Sequence, residues 1–190
     1  MAQYVARLHA GLRVPPFVRS RLFLAQMVAV GLIAIGLSGM LCGLVRYRYG
    51  DHTLALDSQS AQLSASRCAD LMEYHPEKTT CAAAELAHHA DEIVEYRLAA
   101  GVMGLLALAA YFVVRSRSDL TDDESRAQRR RFLWLATGAF GLGAVILLSI
   151  GTSVQLDSGD AAPRWFTDGA VSFVFFLFFS SMLAKTHRRQ

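Results

Sequence analysis

Two groups of side chains have the types and spacings from which chemistry can be made, and both fall between residues 46 and 97. In "AELAHHADEIVEY", Glu85 and His89 stand four residues apart, as do His88 and Glu92, close enough on one helical face to share a metal ion. Glu85 to His88 is also the Glu-x-x-His spacing of di-metal helical bundles. A single helix, however, presents only two good ligands on a face, whereas a stable zinc site needs three or four. His75 lies too far along the chain, and His52 too near the membrane end, to complete the set. A solvated charged face is therefore the preferred reading, and no metal or other cofactor is expected.

The second group is Cys68 and Cys81, placed on either side of the His75-Pro76 break. Proline suits the first turn of a helix and biases the residue before it toward an extended conformation. One helix is predicted to end near Met72 and another to begin near Pro76. If they fold back on each other, Cys68 meets Cys81 in height, Leu63 meets Leu86 and Leu56 meets Ile93. Faces match less well than heights: five residues from Leu63 to Cys68 turn the cysteine about 140° from the leucine stripe. A bridge then needs local distortion near the tip, and would contribute about 3 kcal/mol in the chain-entropy model.

What positions these groups follows from composition. The 190 residues are 53% hydrophobic and only 18% charged, too apolar for a soluble domain's surface. Charges come in blocks, separated by four runs long enough to cross a bilayer. The predicted order is a cytoplasmic segment (1–21), a first span (22–45), an extracytoplasmic helical hairpin (46–97) and a second span (98–114). A cytoplasmic loop (115–131), a third span (132–154), a short outer loop (155–164), a fourth span (165–184) and a cytoplasmic tail (185–190) follow. The expected fold class is all-α: an integral membrane four-helix bundle with the hairpin between its first two spans. The first run is read as a span and not a signal peptide, because its apolar core is long and no A-x-A cleavage site follows it.

Basic residues orient the bundle. Arg7, Arg13, Arg19 and Arg21 precede the first span, six arginines lie in the 115–131 loop, and Lys185, Arg188 and Arg189 close the chain. The positive-inside bias puts both termini and that loop in the cytoplasm, although Arg46 and Arg48 oppose the trend. Cys68 and Cys81 then face an oxidising compartment, where a disulfide persists. Cys42, inside the first span, reads as a small packing residue.

"TDDE" at Thr121 to Glu124 is a capping box that starts a helix ahead of the third span. That helix carries Arg126, Arg129, Arg130 and Arg131 to the membrane surface, where anionic lipid headgroups are their expected partners. Gly36, Gly39 and Gly43 form a small-residue strip for close helix packing, preferred as internal over a dimer contact, and Gly138, Gly141 and Gly143 repeat it in the third span. Phe173, Phe175, Phe176, Phe178 and Phe179 are expected to contact lipid.

Apart from Asp168 near the outer end of the fourth, the spans hold no Asp, Glu, Lys, Arg or His, which argues against a coupled transporter. No Gly-rich phosphate loop, haem-ligating histidine within a span or catalytic triad is present, and nothing suggests nucleic acid binding. The expected function is that of a non-enzymatic multi-pass protein, either an accessory or assembly subunit of a membrane complex or an extracytoplasmic sensor. Its partners would be the lipid bilayer and a membrane protein or a second copy of itself. One alternative is a membrane thiol-disulfide oxidoreductase using Cys68 and Cys81, although they are not a C-x-x-C pair and only Arg67 offers nearby positive charge. Another is an oligomeric pore or passive transporter lined by Ser149, Thr152 and Ser172. Abundant Arg and Ala with only two lysines suggest a bacterial cell membrane.

Overall fold

The computed structural model describes residues 16–51, 54, 65–118, 120–158 and 162–187. Among them the chain forms five helices: α1 (Pro16–Tyr49), α2 (Ala65–Tyr74), α3 (Cys81–Ser116), α4 (Asp122–Ser158) and α5 (Ala162–His187). All except α2 are long and apolar enough to cross a membrane. Leu56 and Leu63, assigned above to matching heights in the hairpin, lie outside the described residues, as does His52.

The helix ends follow local chemistry. Gly50 stops α1: it adopts φ 98°, a left-handed conformation suited to glycine, and its N–H donates to the Arg46 carbonyl at 2.8 Å. Thr121 and Glu124 form the expected capping box at the start of α4. The Glu124 side chain accepts from the Thr121 N–H at 3.0 Å, and the Thr121 hydroxyl accepts from the Glu124 N–H at 3.3 Å.

The start of α3 differs from expectation. Pro76 begins no helix; it occupies the second position of a turn in which the Lys78 N–H donates to the His75 carbonyl at 3.0 Å. The helix starts at Cys81, because Thr80 is the better cap: its backbone is extended and its hydroxyl accepts from the Ala83 N–H. From there α3 runs unbroken for 36 residues, about 54 Å at 1.5 Å per residue. That exceeds a hydrocarbon core of about 30 Å. The second arm of the expected hairpin and the second span are thus one rod.

α1 lies along α3 and α4 lies along α5, and α1 also touches α4 and α5. Close approach of α1 and α3 depends on glycine. A Cβ on Gly36 would collide with the Gly101 backbone, and one on Gly104 would come within 2.8 Å of the Ala29 carbonyl oxygen. In the other pair, Phe179 is buried with Phe132, Leu133, Ala136 and Leu183, while Phe140 and Phe175 pack against them. This corrects the lipid-facing assignment of the phenylalanines. Phe173 and Phe178 are exposed, but Phe179 is core and Phe176 lies against Gly141. Gly138, by contrast, meets nothing.

Candidate functional site: charge at the two ends of the bundle

At the end of the bundle that carries the cysteines, two cations converge on carboxylates. Arg46, in the last turn of α1, pairs through Nε with Asp51 at 2.6 Å and through Nη1 with Asp91 of α3. Lys78, in the turn before α3, reaches the other oxygen of Asp51 at 2.6 Å. Burial alone would push the Asp51 carboxyl up, but the hydrogen bonds and charges of Lys78 and Arg46 outweigh it and hold the group below its ordinary value. His75 is buried, with Nε2 3.6 Å from Asp91.

One helix turn or two deeper lies a second set. Arg97 of α3 grips Asp168 of α5 with both terminal nitrogens, Nη1 to Oδ1 at 2.6 Å and Nη2 to Oδ2 at 2.9 Å. The same Nη1 donates to the Ser38 hydroxyl at 2.8 Å and lies 3.2 Å from Cys42 Sγ, both on α1. Ser38 also bonds Asp168, and Cys42 Sγ is 3.1 Å from the Thr167 hydroxyl. Five side chains thus form one network across three long helices. Among the described residues α3 has no backbone-level packing against α5, so Arg97 is what joins them. Gly39 makes this reach feasible, since a Cβ there would stand 2.6 Å from the Arg97 Cβ.

Two expectations are corrected here. Asp168 is no isolated charge at a span's edge but half of a bidentate pair, and Arg97, read as a mere flank, is the other half. Each side chain is four-fifths shielded, at 19% and 20% exposure. A fixed fork matched to a carboxylate is the geometry that makes such shielding tolerable. Cys42 is fully buried, as expected of a packing residue, but its sulfur faces polar atoms.

The sequence-derived metal candidates are scattered. Glu85 is buried and 3.9 Å from Arg67; His88 and His89 both approach Glu92, at 3.6 and 3.3 Å. His75 is nearer than chain position implied, because the turn folds it back to a ring separation of 6.1 Å from His88. This corrects the reading of a uniformly solvated face. Among the described residues, no three such side chains converge as a metal site. Cys68 and Cys81 stand at disulfide distance, with Cα atoms 5.4 Å apart. Cys81 is the first residue of α3, and Leu63, from which the twist was reckoned, lies outside the described residues. Of the glycine strip, Gly36 and Gly39 face α3 closely, and a Cβ on Gly43 would stand 3.7 Å from a Val94 methyl, an ordinary contact. The hydroxyls suggested for a pore do not share a path within one chain: Ser149 and Thr152 are exposed, and Ser172 sits against Gly143 between α4 and α5.

The opposite end is organised differently. Arg126, Arg129, Arg130 and Arg131 of α4 border a cleft of about 980 Å³ together with Lys185 of α5. Arg115 of α3 sits nearby, donating to the Tyr111 and Ser125 hydroxyls at 3.1 and 2.6 Å.

No family model, curated protein or solved structure matches the chain.

Proposed function

We propose that the chain is a non-enzymatic multi-pass membrane protein that serves as an accessory or assembly subunit of a membrane complex, presenting the segment from Ala65 to Arg97 outside the cytoplasm as a fixed surface. The observation that carries this reading is the fixation of α3. A single rod holds the cysteine-bearing tip and the apolar length, and it is clamped twice, by Arg46 to Asp91 and by Arg97 to Asp168. Such a part suits holding a partner at a set distance from the bilayer. A sensor would need an element with two arrangements, and paired charge at both clamps supports one.

Orientation rests on the basic residues at the α4 end, and the Cys68–Cys81 bond rests on that orientation and on the spacing. We read the bridge as a staple. Arg67, the cation beside Cys68, lies 3.9 Å from Glu85, which reduces the positive potential that a reactive thiolate would need.

Crosslinking tests the function. A photo-crosslinker at Tyr74, exposed on α2, is placed in membranes of the source organism. A discrete adduct that survives mild detergent extraction, and that disappears when residues 65–80 are replaced by a short linker, is the expected result. A chain that migrates alone without adducts contradicts the assembly role.

A further inference from the structure

The cleft at the arginine-rich end has a polarity gradient that its lining residues build in register. On α4, Arg126, Arg130 and Trp134 recur every four residues and so share one face, with two cations followed by an aromatic ring. On α5, which ends where α4 begins, Lys185 is preceded one turn earlier by Met182. α1 contributes Phe23 to the same wall. On both α4 and α5 the cation lies toward the helix end and the apolar group one turn further into the bundle. None of the lining residues is acidic, and none of these cations pairs with a carboxylate among the described residues. Trp134 is 53% exposed, at the level where the polar and apolar parts of the wall meet.

We infer that this cleft is a binding site for one anionic phospholipid. Its phosphate sits among Arg126, Arg130 and Lys185, and an acyl chain lies against Trp134, Leu135, Met182 and Phe23. The inference rests on α1, α4 and α5 being spans, but not on which side of the membrane the cleft faces. A free phosphate compound would use the cations and leave the apolar wall without purpose. An acidic peptide would not need the wall to deepen toward the hydrocarbon. An amphiphile uses both halves. Basic pockets between spans are a recognised mode of anionic headgroup capture, and the volume is near the upper end of ordinary ligand sites, about 300–1,000 Å³.

Trp134 supplies its own probe. In a Trp165→Phe background the full chain is reconstituted into phosphatidylcholine vesicles containing a minority of phosphatidylglycerol, with bromine on the acyl chains of one lipid or the other. We expect brominated phosphatidylglycerol to quench Trp134 well beyond its share of the lipid. That preference should fall about fivefold per cation removed in Arg126→Gln, Arg130→Gln and Lys185→Gln. Arg117→Gln, which removes an exposed charge outside the cleft, should leave it unchanged. Equal quenching by the two lipids overturns the site while leaving the spans intact. So does an equal loss in Arg117→Gln, which would mean diffuse attraction. Reversal of quenching by millimolar glycerol phosphate would assign the cations to a soluble ester instead. No quenching by either lipid would overturn the span assignment beneath the proposal.

Discussion

Where α1 ends and α3 begins, Arg46, Lys78 and Arg97 each meet a carboxylate; where α4 begins and α5 ends, Arg126, Arg130 and Lys185 meet none among the described residues. A tally of bases per loop treats these cations alike, whereas pairing separates them. Cations satisfied within the chain hold helices together and fix the projection. Cations left open are available to something outside the chain. Arg46, which opposes the positive-inside trend, has a structural reason for its place.

The contrast can be broken most forcefully at Arg97. Replacing Asp168 with alanine leaves a shielded guanidinium without its partner, a change expected to destabilise the bundle by about 3–5 kcal/mol. Thermal unfolding in detergent measures it. Arg97→Leu with Asp168→Leu should recover most of the loss, since no lone charge then remains. Arg130→Ala at the other end should stay within about 0.5 kcal/mol of the parent. Equal effects at the two ends would erase the distinction.

Next in size is the staple. Cys68→Ser with Cys81→Ser should cost about 3 kcal/mol, confined to α2 and the first turns of α3. Hydrogen exchange should show loss of protection there and none in α4 or α5. If the cysteines were catalytic, the same variant would instead lose thiol-oxidising activity with protection retained.

A smaller effect sharpens the comparison through pH. Asp51 titrates below its ordinary value when folded, so the unfolded chain binds its proton more readily. The stability it supplies is present at neutral pH, and is lost as pH falls through and below the usual carboxylate range. Asp51→Asn should be less stable at neutral pH and lack that acid-dependent step in its melting temperature. The smallest change is at the α4 cap, where Thr121→Ala should cost about 1 kcal/mol, read as fraying of the first turn by hydrogen exchange.

Much of this architecture was legible from residue order. Apolar runs bounded by arginine marked the four long helices and "TDDE" marked the start of α4, while the glycine strip of α1 pointed to close helix packing without saying which helix it would meet. The site was less legible because its chemistry is non-local. Arg97 and Asp168 are far apart in the chain, and each looks like the polar margin of its own helix. The available signal was a lone carboxylate in an apolar run, which demands a cation at the same depth. Gly39 on the neighbouring α1, which lets the arginine reach across, could be read only as packing. The turn was misplaced for a local reason: proline suits both a helix start and the second position of a turn, and the Thr80 cap decides between them.

The central claim is that the paired end lies outside the cytoplasm and the open end on the opposite, cytoplasmic side of a bilayer. Epitope tags inserted beside Thr79 and beside Arg117, both exposed, test it directly with an impermeant antibody on intact cells. The tag at Thr79 should be reached without permeabilisation and the tag at Arg117 only after it. Labelling of both tags in intact cells, or of Arg117 alone, would contradict the account.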